Sequence, residues 1–306
     1  MNSFLKEVSL GLSKKNKKLS SKWFYDFRGS KLFEQITKLK TYYPTRTERK
    51  ILKDNKIEIA NKIGKRAVLI EPGAGDFKKI AIFLNSLDKP KKYIPLDISE
   101  DYINKISQDF KKKFPKIAIT PKGYDFSRNN KLPFKINSSE NIIIFFPGST
   151  IGNFEEKDAV KFLKVLKSKF KAKKIIIGAD LIKDIPTLIT AYDDKEGVTA
   201  KFNKNILRRI NTELGADINL NSYKHLAIYN KQKKRIEMRL KSKKKNNIRI
   251  NGSNYLIKKN EEIHTENSHK YTIKSFKNLA NKAGWKIKKT WVDKKKLFSV
   301  HCLDPR

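Results

Sequence analysis

Residues 67–70 form a short apolar run with no polar alternation, the pattern of a strand buried on both faces of a parallel sheet. Further strands are predicted at 93–98, 117–120, 141–146 and 174–181. Helical stripes lie between them: Ile80, Phe83 and Leu84 after the first strand, a helix starting at Ser99, and Ala159, Phe162, Leu163 and Leu166 after the fourth. A helix over 47–63 leads into the first strand. Strands alternating with helices predict a parallel, doubly wound sheet whose ligand sits beyond the strands' carboxyl ends. Gly73, Asp97, Asp125 and Gly148 all lie at such ends.

The pattern changes between 183 and 269. A stripe of Phe202, Ile206, Ile210 and Leu214 predicts a helix stopped by Gly215. Strand-like segments follow at 225–229 and 235–240, then a loop at 241–247. This reads as an inserted α+β subdomain. Sheet logic then returns. Thr272 caps a helix with the stripe Phe276, Leu279, Ala280 and Ala283, Gly284 ends it, and 285–292 with 297–303 form a hairpin. The first 22 residues are polar and lysine-rich, a helix followed by a loop, and Leu32, Phe33 and Ile36 suit a helix face. Trp23 and Phe33 read as aromatic core packing. No internal repeat is present.

Composition narrows the class. A chain of 306 residues can bury a substantial core, and 18 Phe with 11 Tyr argue against disorder. The longest apolar run, 142–146, is far short of the ~20 residues a membrane helix needs. The N-terminus has no long apolar stretch of the kind a secretory leader carries, so a soluble, cytoplasmic protein is expected. The single cysteine, Cys302, excludes an internal disulfide and a Cys-based zinc cluster, and reads as a small buried hydrophobe. The formal charge of +39 is spread along the whole chain rather than interleaved with aromatics on one face. It reads as solvated surface lysine with non-specific, salt-sensitive affinity for polyanions.

Candidate chemistry begins at the turn after the first strand. Gly73 and Gly75 break the chain, but a dinucleotide fingerprint would need a third Gly where Lys78 stands, and a P-loop's Gly-Lys-Ser/Thr is absent. Glu71-x-Gly73-x-Gly75 remains, a pattern of S-adenosylmethionine (SAM) methyltransferases that a tight connection binding nothing would also produce. Asp97 is placed to accept hydrogen bonds from ribose hydroxyls, or to cap the helix at Ser99. Asp125-Phe126 could bind an adenine amine and pack on its ring.

Together these stretches resemble the histidine-specific SAM-dependent methyltransferase family, from about Lys22 to Leu303. The motifs are Lys-Trp-Phe-Tyr-Asp at 22–26, Tyr-Tyr-Pro-Thr-Arg-Thr-Glu at 42–48 and Gly-Ser-Thr-Ile-Gly-Asn at 148–153. Ala-Tyr-Asp-Asp at 191–194, Arg-Ile-Glu-Met at 235–238 and Thr-Glu-x-Ser-x-Lys-Tyr at 265–271 complete the set. The resemblance implies an α/β fold, a Rossmann-like SAM-methyltransferase sheet with an inserted α+β substrate-binding subdomain. Residues 47–181 and 271–306 would form the SAM-binding domain, and 1–46 and 182–270 the substrate-binding subdomain. Gly73, Lys79, Asp97, Asp125 and Phe126 match the family's SAM-contacting positions. Tyr42, Asn153 and Tyr192 match residues that hold an amino acid's α-amino and carboxylate groups, with Gly148 at the seam between the ligands. Glu266 and Ser268 match the pair that hydrogen-bonds an imidazole, with Met238 beside the ring. Tyr25 matches a tyrosine near the amine being methylated, and Tyr25 and Tyr42 are the candidate catalytic residues.

The implied activity is Nα-trimethylation of free L-histidine to hercynine, the first step of ergothioneine biosynthesis. SAM is the methyl donor, with no metal. The implied partner is the small molecule alone, with no specific nucleic acid and no membrane, and the protein a monomer. Amine attack on a sulfonium methyl needs proximity and orientation more than a strong base. None of His225, His264, His269 and His301 is therefore required, and all four are expected to be structural. Glu266 would give specificity, because a buried carboxylate left unpaired costs ~1–3 kcal/mol. Two positions depart from the family pattern: Ile80, where Thr is frequent, and Asn267, where an aromatic or apolar residue is common. The competing readings are another amino acid on the same scaffold, and an RNA methyltransferase. The latter lacks the Asn/Asp-Pro-Pro-aromatic tetrad of base-amine methylation, Pro147-Gly148-Ser149 standing there instead.

Overall fold

The computed structural model describes residues 3–75, 77–126 and 131–306. The chain divides into two compact units, Tyr43–Lys183 with His269–Arg306, and Met1–Tyr42 with Asp184–Ser268.

Helix α1 (Ser3–Ser13) buries Phe4, Val8 and Leu12, spaced four apart on one face. In α2 (Phe27–Lys38) Asp26 caps the start by accepting from the Gly29 N–H at 2.6 Å. The helix predicted over 47–63 is two helices, α3 (Tyr43–Asp54) and α4 (Lys56–Ile63). They part at Asn55, whose amide donates back to the Ile51 carbonyl and competes with the regular ladder. α3 also begins earlier than predicted, with Pro44 in its first turn, where the missing N–H is no loss.

Strand β1 (Ala67–Pro72) is buried at every position and lies parallel between β2 (Lys92–Asp97) and β5 (Asn141–Phe146). The helix expected after β1 is a single turn, α5 (Ala81–Leu84), yet Ile80, Phe83 and Leu84 are all in the core. After α6 (Glu100–Lys113) the predicted strand 117–120 is replaced by two short pieces, β3 (Ala118–Ile119) and β4 (Lys122–Gly123). Pro121 stands between them and cannot donate to the ladder. Helix α7 (Glu156–Ser168) and β6 (Lys174–Asp180) follow.

Helices α8 (Ile185–Tyr192) and α9 (Val198–Leu214) come next, and Gly215 ends α9 at φ 66°. Strands β7 (Tyr223–Asn230) and β8 (Arg235–Ser242) pair antiparallel. The loop expected at 241–247 is only 243–245, because β8 runs to Ser242 and β9 (Asn246–Ile250) starts at once. β9 and β10 (Ser253–Ile257) form a hairpin across Asn251-Gly252, both at positive φ, the turn chemistry short hairpins favour. β11 (Glu262–His269) lies beside β8. Thr272 and Ser275 form a capping box at α10 (Ile273–Lys282). The terminal hairpin pairs β12 (Trp285–Val292) with β13 (Phe298–Pro305).

The main sheet runs β12-β13-β6-β5-β1-β2-β3, parallel except for the antiparallel β13 inserted beside β6. Alternate strand residues feed two cores. Leu69, Ile143 and Phe145 pack with Ile51, Ile59, Phe83 and Ile103 on the α3–α6 side. Val68, Ile70, Ile142 and Ile144 pack with Phe162, Leu163, Phe276 and Leu279 on the α7 and α10 side. Cys302 is buried and unoxidised in the first core. Among the described residues no helix is long and apolar enough to cross a membrane.

Three histidines are held neutral inside the structure. His301 stacks on Phe276 at 4.3 Å and bonds Ser299 and Thr290, and burial pushes its pKa down to about 3. Burial, with Lys18 nearby, pushes His264 down to about 4, and burial also lowers His225, which bonds Asn203 and the Tyr192 carbonyl. An unfolded chain protonates these rings near pH ~6.5, so it binds more protons than the folded chain below that pH. Stability should therefore fall as pH drops from about 6.5 towards 4, His264 and His301 each contributing ~1.4 kcal/mol per pH unit and His225 acting in the same direction. Denaturant unfolding of His301→Gln over that range should show a slope shallower by about that one increment. An unchanged slope would rule out His301 as a source.

Candidate active site

In the sheet unit, the turn after β1 is held against β2: the Gly73 and Ala74 N–H groups donate to the Leu96 carbonyl at 2.7 and 3.1 Å. Gly73 adopts φ 69°, and a Cβ there would meet the Phe126 ring at 3.3 Å, so glycine gives both the turn and the close approach. Asp97 ends β2. Its carboxylate accepts from the Ser99 N–H at 2.9 Å and more weakly from Gly75 at 3.4 Å, so it fixes the turn leading into α6, without capping that helix, and faces the glycine turn. Burial pushes its carboxyl up from the ordinary range, against those N–H groups. Phe126 is half-buried and wedged edge-on against Phe146, with Phe162 5.6 Å away, so its ring is fixed; Asp125 precedes it on the same loop. Gly73, Asp97 and Phe126 thus gather at the carboxyl ends of β1 and β2.

The next loop follows β5. Gly148 and Ser149 are consecutive left-handed residues, φ 81° and 57°, leading into a tight turn at Thr150–Asn153 that leaves Asn153 half-exposed. Gly152 presses on the main chain of His269, where a Cβ would lie 2.9 Å from the carbonyl oxygen.

Glu48, the last residue of the 42–48 motif, went unassigned in the sequence and is central here. It is 1% exposed on α3, and both its oxygens accept from the Gly148 N–H at 2.9 Å. Lys79 pairs with it at 2.7 Å. Gly178 on β6 makes room, since a Cβ there would stand 2.1 Å from the Glu48 carboxylate. Lys79 and Gly148 are therefore joined through one buried acid. Nothing local in the sequence marks it.

The other unit carries the remaining candidates. Tyr192 ends α8, and its hydroxyl bonds the Ser268 hydroxyl at 2.7 Å. Tyr42 packs edge-on against Tyr192 at 6.1 Å and reaches Phe33 at 6.2 Å. Tyr25 packs on Phe33 and Phe202 at 5.7 and 5.4 Å. Met238 on β8 is buried, and its carbonyl accepts from the Thr265 hydroxyl on β11. Thr265 and Ser268 both bond residues of the α8–α9 pair, Asn203 and Tyr192, and Glu266 lies between them at 9% exposure. Asn267 bonds His264, which explains the polar residue at that position.

Two motif acids have supporting roles. Asp194 accepts from the Val198 and Thr199 N–H groups at 2.7 Å and fixes the corner after Tyr192. Glu237 lies between Arg235 and Arg239; burial opposes its charge, but the two guanidinium groups hold its pKa at about 2. Arg239 also reaches Glu262 at 2.6 Å and ties β8 to β11. Among the described residues no group of three or more His, Cys, Asp or Glu is placed to hold a metal ion.

A doubly wound, mostly parallel sheet with a glycine turn, an acid ending the second strand and an aromatic on a following loop is a Rossmann-like arrangement. The model of the histidine-specific, SAM-dependent methyltransferase family matches residues 4–305, and the chain belongs to that family. It is 34% identical over 295 residues to a histidine N-alpha-methyltransferase of Mycolicibacterium smegmatis, covering 94% of this chain and 90% of that one. It is 33% identical to a protein of the same description from Mycobacterium tuberculosis, over 87% and 84% of the two chains. Ergothioneine biosynthesis protein 1 of Neurospora crassa is 36% identical over 62% of this chain and 22% of its own length.

Replacing Glu48 by Ala leaves the Gly148 N–H and Lys79 without their shared acceptor. Breaking a buried pair costs ~3–5 kcal/mol, and Lys79 keeps some solvent, so a loss of about 3 kcal/mol is expected. Glu48→Gln, which keeps one acceptor oxygen, should lose less. Urea titration of the two variants checks this, and a Glu48→Ala protein as stable as wild type would refute it.

Proposed function

We propose that the protein is a SAM-dependent Nα-methyltransferase that converts free L-histidine, by three methyl transfers, to hercynine, the opening step of ergothioneine biosynthesis. SAM fits the sheet unit. Gly73 offers a surface without a side chain, Asp97 supplies an acceptor for ribose hydroxyls, and the fixed Phe126 ring supplies an apolar wall for a base. Asp125 accepts from the adenine amine, and Lys79 supplies a cation. Bound there, SAM supplies an electrophilic methyl carried on an excellent leaving group.

The other residues bind and orient the amino acid. Tyr42, Asn153 and Tyr192 are assigned to its α-amino and carboxylate groups, and Gly148 to substrate binding. The hydroxyls of Tyr25 and Tyr42 direct the lone pair of the neutral amine, and orientation of this kind is the main contribution such a reaction needs. Met238 packs on the imidazole, while Glu266 and Ser268 bond its two nitrogens.

One observation carries the choice of substrate: the chain belongs to the histidine-specific family over residues 4–305, and its Thr265-Glu266-x-Ser268 motif lies buried on β11. A carboxylate in that position favours a side chain with an N–H to offer and penalises one without.

Incubation with SAM and a panel of free amino acids, read by mass, tests the reading. Histidine should gain up to three methyl groups and the others few or none; preferential methylation of another amino acid would overturn it. Glu266→Ala should lower kcat/KM for histidine by roughly 10- to 100-fold, the equivalent of one hydrogen bond to a charged group. Unchanged histidine kinetics would remove Glu266 from the specificity role.

A further inference from the structure

The chain passes between its two units after Tyr42, after Lys183 and after Ser268. Within the sheet unit, residues beside all three crossings converge on one carboxylate. Asp180, the last residue of β6, is wholly buried. Its oxygens accept from the Tyr43 hydroxyl at 2.9 and 2.7 Å, from Lys183 Nζ at 2.6 Å and from Lys270 Nζ at 2.7 Å. Lys183 also donates to the Tyr43 hydroxyl at 2.6 Å, which closes the cluster. The Asp180 N–H donates to Ser149 Oγ at 2.9 Å, which adds the Gly148–Asn153 loop as a fourth segment. Main-chain bonds between Tyr271 and both Asp180 and Ile182 hold the third crossing in register.

The electrostatics suit a fixed cluster within the sheet unit. Burial disfavours the Asp180 charge, but Lys270 and Lys183 outweigh it and keep the carboxyl below its ordinary range. Two ammonium groups share one acid, and burial brings Lys183 down to about 8. Such clusters add little net stability, since desolvation offsets the attraction, whereas removing one member leaves the others buried and unpaired. What the cluster supplies is a single geometry. We propose that Asp180 is a positioning residue for methyl transfer: it fixes the chain beside Tyr42, Gly148 and Ser268, residues one or two positions from its partners. The proposal rests on the substrate roles given above to those three residues.

The test separates the amino-acid side from the cofactor side. Asp180→Asn keeps the size and one acceptor oxygen but loses the charge. If the variant unfolds cooperatively, its SAM affinity by calorimetry should stay within roughly threefold of wild type, while KM for histidine rises by about tenfold or more, one decade being a small fraction of what a buried cluster holds. Tyr43→Phe, which removes one donor, should shift histidine KM in the same direction by less. Ser149→Ala should do likewise. A folded Asp180→Asn protein with histidine KM unchanged, or with both ligands weakened equally, overturns the proposal. If Asp180→Asn does not fold, unchanged histidine KM in both milder variants overturns it. Wild-type turnover of histidine is measured alongside, so a wrong substrate shows as no product from the unaltered protein.

Discussion

Buried carboxylates matched to donors from distant parts of the chain set the geometry of the sheet's carboxyl edge. Glu48 on α3 joins Lys79 to the Gly148 peptide, and Glu71 at the end of β1 accepts from the Tyr93 hydroxyl at 2.5 Å. Asp180 at the end of β6 gathers Tyr43, Lys183 and Lys270. A charge inside a protein is tolerated only when paired and hydrogen-bonded, so each acid dictates where its partners stand. Hydrophobic packing alone would leave the loops after β1 and β5 several arrangements; these bonds select one.

The same distances explain what the sequence could and could not show. Strands β1, β5 and β6 are continuous apolar runs because both faces are covered, and their limits follow from the pattern with little error. Strand β11 carries Glu-Ile-His-Thr-Glu-Asn-Ser-His, with almost no apolar alternation, so its extended form is decided by pairing with β8 and not by its own composition. The β9–β10 hairpin was signalled by Asn251-Gly252 but hidden in a lysine-rich stretch. At the candidate site, the positions of the glycine turn, Asp97 and Phe126 at the strand ends were legible because strand ends and local motifs mark them. Glu48 and Asp180 were not. Their partners lie 100 and 137 residues away, and a pairing of that range leaves no periodic trace.

The excess of positive charge takes on a different meaning once the acids are located. With 31 Asp and Glu against 70 Lys and Arg, most cations have no carboxylate available. Several of those acids are committed to interior or capping roles: Glu48, Glu71, Asp180, Asp194 and Glu237 are each nearly inaccessible. The lysines left over repel one another across a solvated surface, an effect salt screens within about 10 Å at moderate ionic strength. Lysine inside the structure behaves differently. Lys270 is fully covered and Lys79 nearly so, each placed by a buried carboxylate, Asp180 for Lys270 and Glu48 for Lys79.

Methyl transfer from a sulfonium to an amine asks the protein for alignment, because the leaving group is already reactive. A site for such a reaction gains more from stiffness than from a perturbed acid or base. Tyr25 and Tyr42, proposed above to direct the amine, are braced by aromatic neighbours, Tyr25 on Phe33 and Phe202, Tyr42 on Phe33 and Tyr192. His225, His264 and His301 are engaged in internal bonds and held neutral, which removes these three as competing bases within the fold. Braced aromatic rings and closed ion clusters each limit the arrangements a chain can adopt, and a reaction in which an amine lone pair must meet a methyl group along a fixed line gains from both.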